Sequence, residues 1–224
     1  MEIYGSQAFG VMLALLFYWL GSMLYQKTKF PFFNPLLIAS ALLIVYISIA
    51  KLDLNVFLTD LSGINLFLGP LIVSLAIPIA KQIHLIKKNL IPIVVGSLVG
   101  ALVSVVSVLV LGRVLGLDFE IIASMIPKSA TTPIAVEVSE RLGGIRSITV
   151  AIVVSSAVIG SVFIPFVIKL LRIKDPLVIG MGLGSTAHAV GTAKAMEIDS
   201  VAGAIAGIAM VMSGVFTAII AIFL

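Results

Sequence analysis

The sequence predicts an all-α integral membrane protein, and three observations carry that expectation. Hydrophobic residues make up 61% of the 224 and charged residues only 11%, against about 45–50% and about 25% in soluble domains. The apolar residues form about eight long runs spread from end to end, each near the roughly 20 residues a helix needs to cross hydrocarbon. None of these runs alternates strictly between apolar and polar residues, the pattern of a transmembrane barrel strand. Residues 1–224 are therefore expected to form a single polytopic domain in the cell (inner) membrane. The formal charge of +4 is dispersed over connecting segments, which suits cytoplasmic anchoring in a lipid bilayer and gives no reason to expect nucleic acid as a partner.

The first run, Ala8 to Tyr25, follows the acidic Met1-Glu2-Ile3 and precedes Lys27 and Lys29. That charge order is unlike the basic start of a secretory leader, so a retained helix is expected. Phe32 to Ala50 is the second run, and Asn65 to Ala80, interrupted by Gly69-Pro70, the third. Leu90 to Leu111, Ile148 to Leu171 and Val201 to Leu224 read as uninterrupted spans. Gly96 with Gly100 and Gly203 with Gly207 supply the small-residue spacing of close helix packing. Phe119 to Val138 and Pro176 to Ala195 are broken by polar residues. Lys27, Lys29, Lys81, Lys87 and Lys88 fall together in the cytoplasm if the first four runs cross. Whether Lys169, Arg172 and Lys174 join them depends on whether Phe119 to Val138 crosses or re-enters.

The two broken runs carry the chemistry. Pro127-Lys128-Ser129-Ala130-Thr131-Thr132-Pro133 places one cation and three hydroxyls between helix-breaking prolines, and Gly182 to Lys194 contains Ser185, Thr186, His188 and Thr192 among Gly182, Gly184 and Gly191. Broken backbone at membrane depth survives only inside protein or beside a wet cavity. The runs also align with one another: Ser129 with Ser185, Thr132 with His188, Ala135 with Gly191, each followed by acidic residues and a long apolar helix. Interrupted segments in corresponding positions are the sequence pointer to a transporter binding site. The expected architecture is thus two broken or re-entrant helices meeting near the membrane midplane, with breaks at Pro127, Pro133, Gly182, Gly184 and Gly191, and Gly69-Pro70 as a third, weaker interruption.

Anion handling is the chemistry these residues support. On a regular helix Ser185, His188 and Thr192 stand at i, i+3 and i+7 and share one face, as do Ser129 and Thr132. Helix starts offer amide donors to an anion, and the charge of Lys128 is costly to embed without an anionic guest. Lys128, Ser129, Thr131, Thr132, Ser185, Thr186, His188 and Thr192 are the substrate-binding candidates, with a small carboxylate as the expected guest. His188, whose ordinary pKa lies near 6.5, is the first candidate for coupled proton movement, followed by Glu137, Glu140 and Glu197. Competing readings assign the hydroxyls to interhelical bonds and Lys128 to a snorkelling position. Gly182-x-Gly184 follows no strand of a βαβ unit, the Lys128-Ser129 pair lacks oxyanion donors, and two histidines without cysteine make a poor zinc set. No enzyme, metal or cofactor is expected.

Three ordered motifs also carry a resemblance. Leu68-Gly69-Pro70 with Leu75-Ala76-Ile77-Pro78, then Ile126 through Ala135, then Gly182-Leu183-Gly184 with Ala187 through Ala193, resemble the LrgB/CidB family essentially from end to end. Leu71-Ile72 departs from the Ala-Thr common there. The resemblance implies an antiholin-like membrane protein or murein-hydrolase regulator, accompanied by a small LrgA- or CidA-type membrane partner. It also implies kinship with the plastid glycolate/glycerate translocator and with bacterial pyruvate-uptake proteins. Joined to the residue chemistry, it yields the expectation of a secondary transporter of small monocarboxylates (glycolate, glycerate, lactate or pyruvate class), proton-coupled through the candidates above. The alternative is an antiholin-like regulator of murein hydrolases, permeability and lysis. A homo-oligomer is compatible with either.

Overall fold

A computed structural model describes residues 7–28, 35–52 and 76–224, together with Phe33, Phe57, Pro70 and Val73. The described residues contain helices and no strand. The chain forms two compact units, Met1–Ser74 and Leu75–Leu224. Gly69 and most of the Asn65 to Ala80 run lie outside the described residues.

The first unit contains α1 (Gln7–Thr28) and α2 (Pro35–Ala50). They pack as an antiparallel pair: Gly21 faces the Pro35 backbone at one end, and Phe9 meets Tyr46 at a ring separation of 6.4 Å at the other. A Cβ at Gly21 would come 2.9 Å from the Pro35 carbonyl oxygen, so the close approach depends on its absence.

The second unit contains α3 (Ala76–Lys81), α4 (Ile83–Lys88), α5 (Leu90–Val114), α6 (Phe119–Met125), a 3₁₀ turn (Ile126–Ser129), α7 (Thr132–Arg141), α8 (Arg146–Leu170), α9 (Pro176–Ile198) and α10 (Ser200–Ala221). Four described helices, α1, α5, α8 and α10, are long and apolar enough to cross a membrane. Of the other expected segments among the described residues, Phe32 to Ala50 gives the shorter α2, and Phe119 to Val138 and Pro176 to Ala195 double back. α10 is the axis of the unit, buried along Ala202 to Gly207 and again at Ala209, Met210, Ser213 and Gly214, and its Ala- and Gly-rich sequence lets other backbones approach closely.

The Phe119 to Val138 run is a hairpin. Pro127 cannot donate an amide hydrogen to continue α6, and the chain passes through a 3₁₀ turn with extended dihedrals at Ala130 and Thr131 before Pro133 opens α7. α7 then returns along α6: the Ile145 amide donates to Ser124 Oγ at 2.7 Å, and Gly144 lies against Ala123 and Ser124. α6, at 7 residues, spans only about 10 Å, so the segment re-enters and does not cross.

The Pro176 to Ala195 run is a second hairpin, folded at His188. Gly180 and Gly184 meet Ala202 and Ala206 of α10, whereas Thr192 and Met196 meet Gly207 and Gly203. The first arm thus runs with α10 and the second against it. Asp175 and Asp199 cap the first arm and α10 by accepting from Leu177 N at 2.8 Å and from Val201 N at 2.7 Å.

The hairpins enter from opposite ends of the unit. α7 follows α10 from Gly214 outward to Ile222, while α9 is anchored at the N-terminal end of α10. Each hairpin is followed by a long helix, α8 or α10, and the two hairpin-helix pairs run in opposite senses. That is the inverted-repeat arrangement typical of secondary transporters. Lys81, Lys87, Lys88, Lys169, Arg172 and Lys174 gather at the end where α9 enters, which the positive-inside rule assigns to the cytoplasm.

Candidate functional site

The turn of the first hairpin is held by hydroxyls from three long helices. Ser156 of α8 donates to the Lys128 carbonyl at 3.1 Å, Ser213 of α10 donates to the Ser129 carbonyl at 3.1 Å, and Ser104 of α5 lies 2.7 Å from Ser129 Oγ. Ser129 and Ser213 are buried. Carbonyl groups freed by the break would cost several kcal/mol in hydrocarbon if left unsatisfied, and Ser156 and Ser213 remove that cost. Each stands near the middle of its helix, which sets the turn at mid-membrane depth. All three escaped the sequence reading. The available signal was a serine near the centre of each long apolar run, beside others such as Ser155 and Ser107.

The Lys128 ammonium donates to Ser104 Oγ at 2.8 Å. Among the described residues it forms no ion pair; the three pairs found are Arg141–Glu137, Arg146–Glu140 and Lys194–Glu197. A half-buried ammonium therefore has one hydroxyl partner and no carboxylate.

The fold of the second hairpin brings His188 to this turn. Its backbone adopts φ 49° and ψ −130°, a left-handed conformation that a Cβ-bearing residue holds only at a cost of about 1–3 kcal/mol. The ring is 4% exposed and neither nitrogen has a hydrogen-bond partner. It lies beside the Ser129 backbone and within the field of Lys128. A cation short of an anion and an imidazole short of any partner thus share the junction of the two hairpins.

Several expectations need correction. α9 is helical through Gly182 and Gly184, and it breaks at His188. Gly184 is needed for contact instead, since a Cβ there would strike the Ala206 backbone. Gly191 lets the returning arm pass the Leu183 carbonyl and Ala187. Because the helix turns at His188, the i, i+3, i+7 face expected for Ser185, His188 and Thr192 does not exist. Ser185, Thr186 and Thr192 donate to their own chain, to Met181 O at 2.6 Å, Gly182 O at 2.5 Å and His188 O at 2.9 Å, which spends their hydrogens on the hairpin. Thr131 and Thr132 are half-buried at the start of α7, and Thr131 makes no side-chain cap. Glu137, Glu140 and Glu197 lie on outward faces in the ion pairs above, with side chains 64%, 44% and 66% exposed. Carboxylates that keep water and a basic neighbour have no reason to enter the junction. Glu137 and Arg141 instead border an apolar groove of about 830 Å³ between α7 and the C-terminal half of α10. Pro70 is exposed.

Comparison with known proteins agrees with the motif reading. The antiholin-like protein LrgB of Bacillus mycoides (strain KBAB4) is 36% identical over 213 residues, covering 95% of this chain and 93% of the relative. Those of Bacillus cereus (strain B4264) and Bacillus anthracis (strain CDC 684 / NRRL 3495) are each 35% identical over the same shares. No solved structure matches. The pattern of the LrgB-like family matches residues 14–224, and the chain, a multi-pass membrane protein, belongs to that family.

Proposed function

We propose that this protein is a secondary transporter of small monocarboxylates, of the glycolate, glycerate, lactate or pyruvate class. The observation that carries the reading is the mid-membrane junction where Lys128 lacks a carboxylate and His188 lacks any hydrogen-bond partner. A monocarboxylate supplies what both groups are missing: two acceptor oxygens for the ammonium, and a further acceptor or donor for the imidazole. Opposed hairpins entering from the two sides supply a site that alternate movement of either hairpin exposes to one side at a time. His188 is the remaining side chain at the junction suited to carrying a coupled proton.

A second reading is favoured by the relatives' names. In it the chain is an antiholin-like regulator of membrane permeability and murein hydrolases, working with a small LrgA- or CidA-type membrane partner or with further copies of itself. Flux in liposomes containing only the purified protein separates the two. Saturable uptake of one labelled monocarboxylate, competed by its close analogues and not by neutral solutes, supports transport. A leak that admits unrelated solutes alike, or no flux without a partner protein, supports the regulator.

A further inference from the structure

The Lys128 ammonium donates to Ser104 Oγ at 2.8 Å, and that same oxygen lies 2.7 Å from Ser129 Oγ. The hydroxyl of Ser104 therefore serves two partners from the first hairpin at once. Ser104 belongs to α5, and it is 8% exposed. The other hydroxyls at the turn, Ser156 and Ser213, bind backbone carbonyls and would be unaffected by a guest on the ammonium. Ser104 alone engages the charge.

We infer that Ser104 is the resting partner of Lys128, standing where a carboxylate oxygen of the guest docks, so that substrate must displace it. The proposal rests on the transporter reading for the guest's identity, and it gives a part to a residue that no sequence motif marks. An anion is a better partner for an ammonium than a neutral hydroxyl, because the ion pair adds the attraction of two opposite charges to the hydrogen bond. Displacement therefore runs downhill when a carboxylate arrives and reverses when it leaves. Ser104 keeps its bond to Ser129 in either state, so its release from Lys128 leaves no orphaned hydroxyl. By holding the ammonium in the empty protein, Ser104 lowers apparent affinity and favours release of the guest.

Two variants test this. In Ser104→Ala the guest no longer competes with an internal hydroxyl, and binding of pyruvate or glycolate to the purified protein, followed by thermal shift and by isothermal titration, should tighten about threefold to tenfold, up to the equivalent of one hydrogen bond. Unchanged or weaker binding overturns the proposal, since Ser104 would then be structural or would bind the guest directly. Ser104→Asp places a permanent carboxylate at the docking position. It should raise the thermal midpoint of the ligand-free protein and abolish the pyruvate- and glycolate-induced shift, and adding Lys128→Met should cancel the gain. An aspartate equally destabilising with and without Lys128 refutes a carboxylate position there. The stability comparison of Ser104→Asp needs no added ligand. Failure of every monocarboxylate to bind the unaltered protein therefore counts against the transporter reading, while the coupling between positions 104 and 128 is still decided.

Discussion

Replacing Lys128 by Met removes the ammonium and keeps the apolar stem, so it separates binding from folding. On the folding side the loss is small. The Ser104–Ser129 contact at 2.7 Å and the Ser156 bond to the Lys128 backbone carbonyl do not involve Nζ. One side-chain hydrogen bond from a charged group disappears, worth about 1.5–3 kcal/mol, and the desolvation cost of a half-buried charge, which offsets much of it, disappears with it. On the binding side, a carboxylate about 4 Å from the ammonium at an effective dielectric near 20 gains about 4 kcal/mol. Giving up the Ser104 bond costs about 1.5 kcal/mol of that. The net of about 2.5 kcal/mol corresponds to roughly seventyfold in affinity. The thermal midpoint of the detergent-solubilised variant should therefore stay within a few degrees of the parent, while KM for monocarboxylate uptake in proteoliposomes rises by one to two orders of magnitude. Uptake with an unaltered KM would refute the reasoning, because the cation would then be structural. Lys128→Arg should restore binding only in part, since a planar fork does not reproduce a compact ammonium.

Other consequences follow from the same geometry. Because His188 holds a left-handed backbone, His188→Gly should be more stable than His188→Ala by about 1–2 kcal/mol, reversing the usual helix order in which Ala exceeds Gly by about 1 kcal/mol; chemical denaturation that ranks Ala above Gly would contradict the break. Ser213→Ala strips the Ser129 carbonyl of its donor and should lower stability by about 1–3 kcal/mol, whereas Ser48→Ala, at an exposed hydroxyl that bonds only its own helix, should be nearly silent. The sequence has no cysteine, so Thr192→Cys combined with Gly207→Cys gives a clean crosslinking test. The Thr192 methyl lies 4.0 Å from a Cβ built on Gly207, and mild oxidation should produce an intramolecular disulfide visible as a gel shift; a straight α9 would carry position 192 well past Gly207, and no crosslink would form.

The class of the protein was legible without coordinates. Composition alone demands a bilayer, the long apolar runs of α5, α8 and α10 were delimited to within a few residues, and Pro127, Lys128 and Pro133 marked a break because their backbone and charge are incompatible with lipid. These are local properties, carried by the residues themselves. Tertiary structure decided what local chemistry leaves open. Whether Phe119 to Val138 crosses or re-enters depends on where α7 packs after the turn, and the Ser124–Ile145 bond settles that it returns. His188 breaks its helix although Gly182, Gly184 and Gly191 are the residues with the conformational freedom to do so; Gly184 is held straight against the Ala206 backbone of α10, and Gly191 lies past the turn, where it lets the returning arm pass Leu183 and Ala187. Helical spacing predicted one hydroxyl face for Ser185 and Thr192, and the fold at His188 abolished it. Ser104, Ser156 and Ser213 were invisible because a serine in an apolar run looks the same whether it bonds its own helix or a group on another. Only the convergence of three distant helices on one turn gives those hydroxyls their meaning, and convergence is not a property of any one stretch of sequence.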